Sequence, residues 1–160
     1  MSTTWPEPVE RVSGVLRAAA VDARIEQFVE GTPTARDAAK AIACELSQIV
    51  KTLVFVCDGL PVLALVPGDR RADPAKVAAA AGAGYARVAS TDEVLAATGF
   101  EPGGVAPFPA PRVSRVLIAR ELLQHETIWA GAGSSRHILG IAPADAVRLT
   151  NAEQADLAEA

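Results

Sequence analysis

Lys51 is the side chain whose neighbours in the sequence most demand an explanation. In an extended strand it shares a face with Ile49, Leu53 and Phe55, while Val50, Thr52, Val54 and Val56 occupy the other. A strand apolar on both faces belongs inside the fold. Its ammonium must then snorkel to an end, pair with an acid, or face an internal polar cavity. The last outcome would set a cation beside a bound ligand. A second candidate is the stretch from Thr98 to Phe108, where Gly103-Gly104 is framed by Pro102 and Pro107. Glycines there permit positive φ and let backbone N–H groups approach a ligand closely. Amides so placed can hold a carbonyl oxygen or the oxyanion developing on it. A plain turn satisfies the same residues. A third, Gly131-Ala132-Gly133-Ser134-Ser135, has neither the GxGxxG nor the GK[ST] pattern of a phosphate loop, nor the GxSxG of a nucleophile elbow. It reads as a turn beside a pocket.

Other chemistries find little material. Cys44 and Cys57 are the only cysteines and have no CxxC spacing, and His125 and His137 lie far from them in sequence. No metal and no cofactor is expected, and both thiols should be reduced and mostly buried. A Cys–His nucleophilic pair assembled by the fold stays open. A net charge of −4 argues against coating DNA or other long nucleic acid through a basic surface. Holding only the end of an RNA needs a few cations, and Arg70, Arg71, Lys76, Arg112, Arg115 and Arg120 are available. For any single one of them, solvated surface charge is the plainer reading. No apolar run approaches the roughly 20 residues that span a bilayer. The segment Met1 to Arg11 lacks the basic and apolar regions of a signal peptide. The expectation is a cytoplasmic protein that does not enter membranes.

These candidates need elements to position them. Pro8, Val9, Val12, Val15 and Leu16 have amphipathic helical spacing, and Val21 to Arg24 leads into a strand, Ile25 to Val29. Thr34 stands as N-cap, with Asp37 in the first turn, for a helix running to Cys44. Gln48 to Cys57 and Pro61 to Val66 flank Asp58-Gly59, a hairpin signal. Asp73-Pro74 opens a helix through Ala81, which Gly82 to Gly84 ends. A strand, Tyr85 to Ala89, precedes the capping box Ser90/Glu93 of a helix to Thr98. Gly99 to Pro111 is too rich in breakers for regular structure, and loops of that length often carry function. Strands follow at Val113 to Ala119, Thr127 to Ala130 and Ile138 to Ile141, with a helical turn near Leu122. Pro143 opens a helix through Leu149, and Asn151 can cap a last one. With 160 residues, half of them hydrophobic, the chain is long enough for one core. The irregular mixture of elements favours an α+β fold, one domain over residues 1–160, whose sheet curls around that core.

The residues, taken in order, resemble a family. Thr34-Ala35 to Ala39, Gln48 to Phe55, Thr98-Gly99-Phe100 to Phe108, Thr127-Ile128-Trp129 and Ile141 to Asp145 recur in this order in YbaK/ProX-type aminoacyl-tRNA deacylases. Those are relatives of the editing domain inserted in bacterial prolyl-tRNA synthetase. The match runs from about Val9 to Thr150. It implies a mixed, barrel-like sheet surrounded by helices, no metal, and hydrolysis of the ester joining an amino acid to the tRNA terminal ribose. By position Lys51 is similar to the family's pocket lysine and Gly103-Gly104 to its catalytic glycine pair. The resemblance also makes Thr34, Phe100, Gly131, Gly133 and Asp145 candidate substrate-binding residues, although Asp145 reads equally as first-turn charge after Pro143. The implied partners are the aminoacyl-tRNA acceptor end and prolyl-tRNA synthetase.

Two departures matter. The cysteine-specific branch has a basic Gly-Gly-x-Arg-type turn where this chain has Gly131 to Ser135, and the histidine-bearing segment that several members carry before the second helix is missing between Gln27 and Thr32. Removal of Cys, Ala, Ser or Thr from a mischarged tRNA therefore all stay open. The alternatives are a catalytically silent module that binds a tRNA end or a synthetase, and a hydrolase of another small ester or amide.

Overall fold

The computed structural model describes residues 5–28, 31 and 34–160. Helix α1, Glu7–Ala19, buries the stripe Val9, Val12 and Leu16 and ends at Ala20 in the left-handed conformation. It leads to strand β1, Arg24–Gln27. Val29, expected at the end of that strand, lies outside the described residues. Helix α2, Ala35–Ile42, starts at Thr34, whose hydroxyl accepts the Asp37 N–H at 3.0 Å. The hairpin appears as β2, Val50–Cys57, and β3, Leu60–Pro67, paired antiparallel, with Asp58 and Gly59 both at positive φ as its two-residue turn requires.

Helix α3, Pro74–Ala81, is capped by Asp73. It is followed by β4, Ala86–Val88, and by α4, Thr91–Thr98, which begins with the reciprocal Ser90/Glu93 capping box. Strand β5 is Arg115–Ala119, and a 3-10 segment, Arg120–Gln124, follows it. Strands β6, Ile128–Gly131, and β7, His137–Ile141, form a second hairpin, and α5 spans Pro143–Thr150. One expectation fails at the end of the chain. Asn151 does not open a helix; it closes α5 at φ 54, and the chain continues as a short strand β8, Glu153–Ala155. Asparagine caps either end of a helix, and only its neighbours decide which.

Three strands form one sheet in the order β1-β7-β6, and five form another in the order β4-β2-β3-β5-β8. The second is mixed, because β5 runs parallel to both β3 and β8. The sheets meet where Ile49, just ahead of β2, bridges Trp129 of β6 in parallel. Both sheets keep free edges, so the expected α+β architecture stands but the curl does not close into a barrel. Leu63, Leu65, Ile118, Leu139 and Phe100 fill the main core between sheets and helices, while Phe55, Ala64, Val77 and Leu117 pack on the opposite face of the larger sheet beneath α3. A smaller cluster, with Ala38, Ile49, Trp129 and Ile138, lies under α2 at the junction of the sheets. No described helix is long and apolar enough to cross a membrane.

Candidate active site

At that junction lies a cavity of about 320 Å³. Its walls come from the start of α2 (Thr34, Ala35, Ala38), residues 49–53 around the start of β2, the glycine loop (Gly103, Val105), and the β6–β7 hairpin (Trp129 to Gly131, Ser134, Ser135, His137, Ile138). Four of the residues singled out in the sequence, Lys51, Gly103, Thr34 and Gly131, meet there. Hairpin pairing brings Lys51 opposite Val66 at the end of β2 nearest the turn 67–71. Its amine is half-buried and donates to the Arg70 carbonyl. Burial pushes its pKa below the ordinary lysine value, the Arg71 charge adds to that, and Asp69 opposes it.

The glycines have distinct tasks. Gly103 holds φ 92 and a Cβ there would touch nothing within 4 Å, so it is the turn residue. Gly104 is the close-approach residue, and what it approaches is protein: a Cβ would lie 2.7 Å from Ser134 Cα and 2.9 Å from Ser134 N. Its N–H donates to the Glu101 carbonyl at 3.0 Å. The amide expected to face a ligand is thus committed to its own turn, and among the described residues the N–H groups of Gly103 and Val105 on either side have no protein acceptor. Gly131 is pinned the same way, because its Cβ would lie 2.6 Å from the Val105 carbonyl oxygen. The two loops therefore touch backbone to backbone, and each fixes the other's position at the cavity wall.

The remaining candidates lie elsewhere. Phe100 is fully buried in the main core, with the Arg11 guanidinium 4.6 Å above its ring, because the loop must anchor an aromatic inward before it can present glycines outward. Gly133 faces away from the cavity wall; a Cβ on it would strike the backbone of Pro8 and Val9, so it seats α1 against the hairpin. Asp145 does not line the cavity and pairs with Arg148 at 3.1 Å on the first turn of α5. Of the six surface cations considered for RNA, Arg70, Lys76 and Arg115 are paired with Glu121, Asp156 and Glu153.

One pair at the cavity is not apparent from the sequence. His137 is buried, and its Nδ1 lies 2.5 Å from Ser134 Oγ, which also accepts the Arg136 N–H at 3.0 Å. A hydroxyl has one proton and two lone pairs, so after accepting from Arg136 it can still either donate to Nδ1 or accept from it, according to the imidazole tautomer. Burial lowers the His137 pKa, which favours the neutral imidazole. Nε2 has no hydrogen-bond partner among the described residues, and Trp5 packs edge-on against the ring at 5.5 Å. A hydrolytic Ser–His pair needs an acid orienting the far nitrogen of the imidazole. Among the described residues there is none, and the pair instead clamps the tight hairpin turn. The only signal in the sequence is the Ser134-x-x-His137 spacing across that turn. Among the described residues no group of His, Cys, Asp and Glu is placed to hold a metal, and burial raises the pKa of both thiols, Cys44 and Cys57.

Residues 29–149 match the model of the aminoacyl-tRNA editing domain. Relatives agree. An Enterococcus faecalis protein named "Putative Cys-tRNA(Pro)/Cys-tRNA(Cys) deacylase EbsC" is 30% identical over 125 residues, covering 78% of this chain and 76% of that protein. A proline–tRNA ligase of Xanthomonas oryzae is 33% identical over 138 residues, covering 83% of this chain but 24% of the ligase. A solved structure described as "a putative trans-editing enzyme for prolyl tRNA synthetase" superposes with a TM-score of 0.89 at 32% identity, over 98% of this chain and all of the other.

Proposed function

The chain belongs to the aminoacyl-tRNA editing domain family, and from that premise we propose that it acts as one editing unit in trans, as an aminoacyl-tRNA hydrolase clearing mischarged tRNA of the kind prolyl-tRNA synthetase produces. The observation that carries the reading is the convergence, on one small cavity, of a desolvated cation, a pair of uncommitted loop amides and an apolar wall.

An aminoacyl ester is already activated, so the protein has to position water, stabilise the oxyanion and select the side chain rather than supply a strong nucleophile. Gly103 and Val105 N–H groups are the donors for the ester carbonyl. Lys51 places positive charge where the substrate's negative charge arrives or develops. Ala35, Ala38, Ile49 and Ile138 form an apolar wall that fits a short side chain, which favours Ala, Cys, Ser or Thr as the amino acid removed. The relative named for Cys-tRNA deacylation supports cysteine within that set, and the absence of a basic residue between Gly131 and Ser135 supports the others.

Incubating the protein with tRNA(Pro) charged in turn with Ala, Cys, Ser, Thr and Pro tests the reading. Release of at least one short-chain amino acid well above the spontaneous rate, with Pro-tRNA(Pro) spared, is expected. No release from any of them would leave a silent binding module.

A further inference from the structure

We infer that helix α1 sets the spacing of the two loops that wall the cavity, and that Arg11 is the positioning residue through which it holds the glycine loop. The inference rests on the deacylase reading only for the reaction whose rate is measured. What carries it is a closed ring of contacts, in which α1 touches the hairpin loop, the hairpin loop touches the glycine loop, and the glycine loop touches α1. At the first joint a Cβ on Gly133 would lie 2.7 Å from the Pro8 carbonyl, and Trp5, just ahead of the helix, packs edge-on against His137. At the second, Cβ atoms on Gly104 and Gly131 would lie 2.7 Å from Ser134 Cα and 2.6 Å from the Val105 oxygen. The third joint is Arg11.

The guanidinium of Arg11 holds two neighbouring residues at once. Its Nη2 donates to the Gly99 carbonyl at 2.8 Å, and the same group sits over the Phe100 ring, 4.6 Å from its centroid. A planar fork of donors suits that double task, whereas the point charge of a lysine serves one part of it at a time. Gly99 makes the room, since a Cβ there would meet Nη1 at 2.7 Å. Glu7, one turn earlier on α1, lies 3.1 Å from Nε without accepting a hydrogen bond from it, so it steers the group by charge alone.

The consequences fall on the site. Between α4 and β5 the loop has no helix or strand of its own, so its place is set by contacts of this kind. Phe100 is fully buried and its N–H donates to the Thr98 hydroxyl at 3.0 Å, so the loop leaves α4 from a fixed point. Gly103 and Val105 follow within a few residues, and the Gly104 N–H between them is bonded back to Glu101. A displacement at Gly99 and Phe100 is therefore passed on to the amides that face the ester. No described residue of α1 lines the cavity. Loosening Arg11 should change how well those amides are placed, and not what the cavity binds.

The test compares the wild type with Arg11→Met, which keeps an unbranched chain against Phe100 but has no donor, with Arg11→Lys, and with Val77→Ala, which loosens the core beneath α3 away from both loops. Steady-state deacylation of mischarged tRNA(Pro) and backbone hydrogen exchange over residues 99–108 and 131–136 are measured well below each Tm. Arg11→Met should lose about tenfold in kcat at unchanged KM, short of the roughly hundredfold of a full 1 Å misplacement. Both segments should exchange faster than in the wild type. Arg11→Lys should recover part of each loss. Val77→Ala should lower Tm while keeping wild-type kcat and loop exchange, which separates positioning from stability. Should Arg11→Met fail to fold, Arg11→Lys decides, and it must still show lower kcat and faster loop exchange. Faster loop exchange in the Arg11 variants of a protein with no deacylation at all would sustain the brace while the deacylase reading fails. Wild-type exchange in both segments, or a kcat loss no larger than that of Val77→Ala, would overturn the brace.

Discussion

Replacing Gly104 with alanine adds a single carbon where the two cavity loops touch. That carbon would lie 2.7 Å from Ser134 Cα and 3.0 Å from the Gly133 carbonyl carbon, against 3.4 Å for ordinary contact, so the loops must part by about 0.7 Å. Both neighbours are backbone and cannot swing aside as a side chain would. Overpacking of this kind costs about 1–3 kcal/mol, which for a domain of this length lowers Tm by roughly 2–12 °C. The loops that separate carry Gly103 and Val105 on one side and Ser134 on the other. A shift approaching 1 Å in groups that position a reacting ester costs about a hundredfold in kcat/KM. Gly103→Ala is the internal comparison, because its Cβ meets nothing within 4 Å and only its φ of 92 is strained, at about 1–3 kcal/mol. The two variants should lose similar stability, while Gly104→Ala loses far more turnover on charged tRNA. A Gly104→Ala enzyme with wild-type kcat/KM, or a Gly103→Ala enzyme that is the more damaged of the two, would refute the reasoning.

The buried His137 should make stability depend on pH in its own window. Its folded pKa lies below the ordinary 6.5, so its contribution is complete above 6.5 and is lost as pH falls from there toward the folded value. Melting curves should show Tm falling on acidification below 6.5, and His137→Gln should flatten that decline. Glu93, held at about 2 chiefly by its hydrogen bond from Arg87, loses its contribution only below the ordinary 4.5, outside that window. Turnover should survive EDTA and brief iodoacetamide treatment, since no described cluster suits a metal and burial holds both thiols in the less reactive protonated form. Loss of activity in Cys57→Ser with an intact fold would revive a cysteine nucleophile.

Much of the fold was legible because its signals are local. The Ser90/Glu93 box, the Thr34 and Asp73 caps and the Asp58-Gly59 turn each act within a few residues, and each stands where its chemistry required. Strand β8 was not, because Glu153-Gln154-Ala155 carries no strand pattern and is extended only by pairing with β5. The site divides in the same way. Lys51 stood out as a charge on an apolar strand, but whether it would snorkel to an end, pair with an acid or face a cavity was not written in the strand itself. The commitment of the Gly104 amide to Glu101, the burial of Phe100 and the Ser134–His137 clamp depend on which backbone lies across from them, a matter of tertiary packing. The basic residues behaved likewise, since pairing with distant acids decides which of them remain available.

The account turns on Lys51 and its cavity, and single-turnover deacylation of the preferred mischarged tRNA(Pro) by wild type and Lys51→Ala tests it most directly. Removing the amine leaves only the Arg70 carbonyl without its donor, so the variant should keep its fold and near-wild-type Tm. The account predicts a loss of about a hundred- to a thousandfold in rate, the scale of one electrostatic group removed from a reacting centre. Equal rates for the two proteins, with the wild type active, would contradict the claim that the ester is cut in this cavity.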